Sequence, residues 1–374
     1  MSEILSNSNE TPEEKNAQEK TTTLIDQATT SKPEKTSRVT FAFSKEKYLE
    51  SLTKKIMANW IILVIWSLAL LVRILAAIFS KGFTHPDEHY QSVEIAYERI
   101  FGFGLIPWEF IDGARSWVFP FLVVILFKGM LTLGAKDIEN LLLGVRLFLA
   151  MSSMIMVITA YFFAKELYGK LAAYFASGFI AFWYNLVFWS ARIMTDSFAA
   201  NFIFLATYLV YKCGNSSQKK GLEASPSTLQ AKGQQKQIRR DYGWSALAGF
   251  LLGGSYMLKF SNAIIAIPFI IWFIAHKKWT LVGFFSFTAV IMVIVQGIID
   301  LFTWGAFFHS TIAFLDYNIF SGQSAHHGTS PFYAYIYLLA GGFMAYSPFF
   351  LLLLLLGLQK NKKTAYISGS TLFF

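Results

Sequence analysis

The sequence predicts an all-α polytopic membrane protein, a bundle of about eight transmembrane helices, and three observations carry that expectation. Of its 374 residues, 55% are hydrophobic and 17% aromatic. Only 15% are charged, against ~25% in soluble domains. Several apolar runs reach the ~20 residues that a helix needs to cross a hydrocarbon core. A net charge of +9 would suit a nucleic-acid binder. The basic residues, however, sit in short stretches between apolar runs, which is the positive-inside pattern of membrane topology. The expected partner is therefore the lipid bilayer and not nucleic acid. The single cysteine, Cys213, excludes an intramolecular disulfide and a cysteine-based metal cluster.

In chain order, residues 1–55 read as a disordered cytoplasmic tail, because Ser, Thr, Glu, Lys and Asn dominate and too little apolar surface offsets the entropy of ordering. Nothing there resembles a signal peptide. Lys45, Lys47, Lys54 and Lys55 precede the first span, Trp60–Phe79, and hold the N-terminus in the cytoplasm. The remaining residues, 56–374, form the transmembrane domain. A first external loop covers 81–140, a basic cytoplasmic loop 212–242 and a second external loop 300–331.

The run Val118–Gly134 decides the topology. It is short and carries Lys128 past its middle, a cost of roughly 2.5–3.5 kcal/mol at the bilayer centre. If it spanned, the basic loop containing Lys219, Lys220, Lys232, Lys236, Arg239 and Arg240 would lie outside. It is therefore expected to lie in the interface or to re-enter. The later spans are then Leu141–Ala164, Leu171–Ser190, Phe198–Tyr211, Gly243–Leu258, Ile264–Ala275, Leu281–Ile299 and Phe332–Leu358. Every basic cluster falls on one face. His85, Asp87, Glu88, Arg115, Arg192, Asp196, Lys259, Asp300, His326 and His327 gather at the opposite mouth.

The stretch Thr84-His85-Pro86-Asp87-Glu88-His89-Tyr90-Gln91-Ser92 follows the first span directly. Pro86 suits the first turn of a helix, where acids complement the helix dipole, so capping alone accounts for an acid. Ionisable groups at a membrane boundary also raise a functional expectation, with Asp87 at the centre of the chemistry and Glu88 beside it. Asp87, Gln91, Glu94 and Glu98 share one helical face and Tyr90, Val93, Tyr97 and Phe101 another, which reads as an amphipathic helix on the membrane surface. His85 and His89, four apart, offer a metal reading with Asp87 or Glu88. Pro86 makes His85 a cap residue and no His-Glu-x-x-His pattern occurs, so no metal is expected.

Trp108-Glu109-Phe110, followed by Arg115, suits either an interfacial anchor or a sugar stacked on an indole beside carboxylate and guanidinium. Arg192 and Asp196 suit either an i,i+4 pair or an arginine fork on phosphate. Asn318, His326 and His327 lie in the second polar loop, where paired histidines are commonly just solvated.

Taken together, His85-Pro86-Asp87-Glu88-His89-Tyr90-Gln91-Ser92-Val93-Glu94, Trp108-Glu109-Phe110, Arg115-Ser116 and Pro120 resemble the first lumenal loop of the GPI mannosyltransferases, members of glycosyltransferase family 22 with the GT-C fold. Asp300, Asn318, Gly322, Ser324, His327-Gly328 and Phe332-Tyr333 are similar to that family's second lumenal loop. The resemblance implies a dolichyl phosphate mannose donor, a glycolipid acceptor and an inverting transfer without cofactor. It implies that Asp87 is the general base, that Glu88 orders the acceptor or the base, and that Arg192, His326 and His327 face the leaving phosphate. His85, Gln91, Trp108, Arg115, Asp196, Lys259, Asp300 and Asn318 complete the expected substrate-binding set. Two departures stand out: Lys259 replaces an arginine usual in the family, and relatives usually continue beyond Phe374. A fragment or a catalytically inactive relative therefore stays open, as does a transferase for another sugar or a lipid-linked oligosaccharide. A transporter would hold its charges near the midplane in paired halves. The expected location is the endoplasmic reticulum membrane with a lumenal site in a eukaryote, or the plasma membrane with an external site in a prokaryote.

Overall fold

The computed structural model describes residues 59–216, 228–331 and 333–343, and among these every regular element is helical. The expected tail and its lysines lie outside the described residues, as do Lys219, Lys220, most of the span Phe332–Leu358 and the side chain of His327. From Ile61 onward the described residues belong to one compact unit. In order come α1 (Asn59–Phe79), α2 (86–101), α3 (Trp108–Ile111), α4 (Val118–Thr132), α5 (Ile138–Ser152), α6 (Met154–Tyr168), α7 (Lys170–Phe182) and α8 (Tyr184–Ser190). They are followed by α9 (Thr195–Asn215), α10 (Thr228–Leu258), α11 (Ala266–Ala275), α12 (Trp279–Trp304), α13 (His309–Leu315) and α14 (Ala334–Phe343).

Among the described residues three helices are long and apolar enough to cross a membrane: α1, the continuous 31-residue run of α5 and α6, and the 26-residue α12. The pair α7 and α8 passes the same test as one span bent by 56°. At ~1.5 Å per residue α4, with 15 residues, reaches about 22 Å, short of a ~30 Å hydrocarbon core. The count of eight is thus not reached among the described residues. Helices α9 and α10 are long, at 21 and 31 residues, yet they bury Asn201, Thr207, Ser245 and Ser255. A helix that faces other helices needs less apolar surface than one that faces lipid, which is why composition alone places these two poorly.

The main core is built where α9, α10, α11 and α12 meet, around Leu209, Leu252, Phe269, Phe273 and Phe285. Gly249 and Gly253, four apart on α10, set how closely α10 approaches α12. A Cβ on Gly249 would run into the Phe285 carbonyl, and one on Gly253 into Met292. Small residues at that spacing let helix backbones approach in apolar surroundings. The contact is fastened by the Ser245 hydroxyl donating to the Leu281 carbonyl and the Thr288 hydroxyl to the Ala246 carbonyl, each at 2.7 Å.

A second core joins α2, α4 and α5 through Val93, Phe119, Val123, Phe127, Val145 and Leu149. Pro120 is the third residue of α4, a place where an N–H has no intrahelical partner to lose. Arg73, fully buried in α1, serves the bend between α7 and α8. Its guanidinium donates to the carbonyls of Ile180 and Ala181 at 3.0 and 2.7 Å and to the Ser153 hydroxyl at 2.8 Å. The last carbonyls of a helix lack intrahelical partners, and a buried one is costly unless another donor reaches it.

Two expected loops are partly helical. Residues 228–242 of the basic stretch belong to α10, since Leu, Gln, Ala, Lys and Arg favour a helix. Asp300 lies in the penultimate turn of α12 and not in a loop, because the helix runs on to a left-handed Gly305 with φ 79°.

Candidate active site

His85, itself extended (φ −121°, ψ 139°), caps α2: its Nδ1 accepts the Asp87 N–H at 3.2 Å. Glu88 answers from inside the first turn, with Oε1 accepting the N–H groups of Thr84 and His85 at 2.9 and 3.3 Å. This is a capping box with histidine in place of the usual hydroxyl residue. The other Glu88 oxygen lies 3.7 Å from Arg192 Nη1, with both side chains buried. Arg192 also donates to the Gly82 carbonyl at 3.1 Å and lays its guanidinium on the Phe188 ring at 4.5 Å. The neighbouring acids thus have different surroundings. Glu88 is buried and fully engaged, while Asp87 keeps 39% of its side chain exposed, with His85 Nδ1 3.6 Å away.

After Glu88 the helix widens into a π-turn, His89–Val93. The extra residue turns everything beyond it by about 100°, so the single acidic face expected from the sequence is divided. Asp87 and Gln91 line a cavity. Glu94 faces elsewhere, accepting the Leu105 N–H at 2.9 Å and meeting His89 Nε2 at 3.0 Å. Beyond Glu88 the buried residues of α2 are Ser92, Val93, Ile95 and Ala96, with Tyr90 left exposed. His89 also stacks on Phe83, while His85 is engaged with Asp87. Among the described residues no group of three or more His, Cys, Asp or Glu side chains is arranged to hold a metal ion.

The cavity has a volume of about 330 Å3 and is lined from two directions. From the first loop come Trp108, Glu109 and Arg115, and from the second Phe314, Tyr317, Asn318 and Ser324. The rings of Trp108 and Tyr317 pack against each other at 4.4 Å across the two loops. Glu109 Oε1 accepts from Gln91 Nε2 at 2.9 Å and lies 3.9 Å from Arg115 Nη2. Gly113, with φ 70°, lets the first loop pass over the His309 ring, which any Cβ there would strike. With carboxylates at Asp87 and Glu109 against one guanidinium, the cavity favours a neutral polyol over a phosphate. Glu109, the carboxylate the sequence sets between Trp108 and Arg115, was left out of the expected substrate-binding set but lines the cavity with them.

The other expected positions are distributed differently. Arg192 and Asp196 do not pair, because the extended Met194 (φ −116°, ψ 131°) separates α8 from α9 and removes the i,i+4 geometry. Asp196 instead holds Lys259 across the bundle at 2.7 Å. Arg192 is engaged with Glu88 and does not stand open as a phosphate fork. Asp300 is completely buried and does not line the cavity. His326 is exposed on the turn Gln323–His327 and is absent from the cavity wall.

The model of the Alg9-like mannosyltransferase family matches residues 64–374. Mannosyltransferase APTG1 of Arabidopsis thaliana is 32% identical over 130 residues, 33% of this chain and 24% of that protein. GPI mannosyltransferase 3 of Drosophila melanogaster is 24% identical over 275 residues, 72% of this chain and 43% of that one. Among solved structures, ArnT from Cupriavidus metallidurans, bound to undecaprenyl phosphate, superposes with a TM-score of 0.54 at 14% identity. The likeness covers 84% of this chain and 54% of ArnT and shows a shared fold, the GT-C-type helix bundle. The matches span less than half the length of these two curated relatives. By the extent of the family match, the chain belongs to the Alg9-like mannosyltransferase family.

Proposed function

We propose that this protein is a membrane mannosyltransferase that moves mannose from dolichyl phosphate mannose to a hydroxyl of a glycolipid such as a GPI precursor. The relatives' names support mannosyl transfer in GPI synthesis, and the undecaprenyl phosphate bound to ArnT supports a lipid-phosphate donor. The observation that carries the reading is the contrast between the adjacent acids: Glu88 is buried in a pair, and Asp87 opens into a cavity walled by an aromatic pair and polar side chains.

In the proposed transfer Asp87 accepts the proton of the acceptor hydroxyl as its oxygen bonds to the anomeric carbon. The bond from that carbon to the donor phosphate oxygen breaks, and the lipid phosphate leaves with the electron pair. Attack from the side opposite the phosphate inverts the anomeric configuration. Gln91, Glu109 and Arg115 hold acceptor hydroxyls, and Trp108 with Tyr317 supports an apolar sugar face. In a eukaryotic cell the proposed site faces the lumen of the endoplasmic reticulum.

The test is transfer of labelled mannose from dolichyl phosphate mannose by the purified full chain in liposomes containing GPI-precursor glycolipids. A new α-mannosyl glycolipid is expected. Transfer only to a lipid-linked oligosaccharide would change the acceptor, and transfer only from another lipid-linked sugar would change the donor. Absence of any transfer by well-folded protein would overturn the reading.

A further inference from the structure

The cavity walls come from two loops far apart in sequence, and one buried polar group is tied to both. Asp300, in α12, has no exposed surface. Its Oδ2 accepts the Ser310 N–H at 3.0 Å, and both its oxygens lie 2.7 Å from the Ser310 hydroxyl. Its Oδ1 also accepts from Gln296 Nε2 at 2.7 Å. Gln296, equally buried, accepts the Ser116 hydroxyl on its own Oε1 at 2.9 Å.

These ties lead directly to the cavity. Ser116 follows Arg115 in the chain. Ser310 lies in the first turn of α13, which carries Phe314 and leads on to Tyr317. One carboxyl and one amide on a single rigid helix therefore hold both walls. Apolar side chains would fill the same space at lower desolvation cost, but they would not impose directional register.

We propose that Asp300, acting through Gln296 and Ser310, is a positioning residue that sets the register of the two loops and thereby shapes the cavity, without touching substrate. The register itself is independent of which sugar the site takes, so its test stands apart from the proposed mannosyl transfer.

The decisive measurement is a distance between the loops in the full chain. Ile111 and Ile319 are 70% and 65% exposed, one on each loop, and are absent from the cavity wall. Spin labels on Ile111→Cys and Ile319→Cys, in a Cys213→Ala background, should give a single narrow distance peak by double electron–electron resonance. Asp300→Asn puts an N–H2 where an oxygen now accepts, and the single peak should be lost. In unlabelled protein the same change should raise the acceptor KM roughly tenfold to a hundredfold and leave the donor KM unchanged. A mere loss of folded protein does not produce that split. Should Asp300→Asn not accumulate, Ser310→Ala and Ser116→Ala carry the test, each removing one tie while the carboxyl stays in place. Both should broaden the peak, Ser310→Ala more. An unchanged peak in folded Asp300→Asn, or in both serine variants, overturns the proposal, as does an equal rise in both KM values. If no mannosyl transfer exists at all, the distance measurement alone decides.

Discussion

Glu88 and Arg192 form a buried pair, Oε2 to Nη1 3.7 Å, that ties the first turn of α2 to the segment between α8 and α9. The pair fixes the helix on which Asp87 is displayed and removes Glu88 from the set of freely accessible acids. The difference in burial between the adjacent carboxyl groups accompanies this contact.

Asp87→Asn should abolish most transfer and leave folding intact. A positioned general base contributes about 10²- to 10⁴-fold, and an acid in a first helical turn contributes less than about 1 kcal/mol to stability. Steady-state transfer rates and thermal melting of the purified variant check both halves. Near-normal transfer by this variant, with Glu88→Gln inactive, would move the base to Glu88.

Arg192→Met should lower thermal stability strongly, since it leaves Glu88 buried without its cation. Breaking one side of a buried pair costs about 3–5 kcal/mol. The double change Glu88→Gln with Arg192→Met should recover part of that loss, because no uncompensated charge is left inside. A single variant that melts like the wild type would contradict the buried pairing.

Glu109→Gln and Tyr317→Ala should each raise the acceptor KM by roughly tenfold, about 1.4 kcal/mol, and leave the donor KM unaltered. Initial rates across both substrate concentrations separate the two. A shift confined to the donor KM would show that the cavity holds the lipid-linked sugar.

Gly249→Leu should prevent α10 from seating on α12 and reduce the yield of monodisperse protein, since overpacking commonly costs about 1–3 kcal/mol. Gly254→Ala, on the same helix with nothing within 4 Å of the added Cβ, is the control and should be tolerated. Size-exclusion profiles of the two variants decide the matter. Equal behaviour of the pair would mean that the close approach at Gly249 is not needed.

The sequence by itself determined the membrane class, the position of the first span and the local build of the His85-Pro86-Asp87-Glu88 turn. Those features depend on apolar run length and on hydrogen bonds between residues at most a few positions apart. It also marked Asp87, Gln91, Trp108 and Arg115, which the fold brings to one cavity. What only the tertiary structure decided was the assignment of partners. Arg192 took Glu88 and not Asp196, Asp196 took Lys259, and Asp300 went inward to Ser310 and Gln296. An isolated reading pairs charges by spacing along a helix, but the extended Met194 interrupts that helix and the π-turn at His89–Val93 rotates the acids beyond it. Burial then settles each case, because a polar side chain removed from water must take whichever partner the packed helices place within reach.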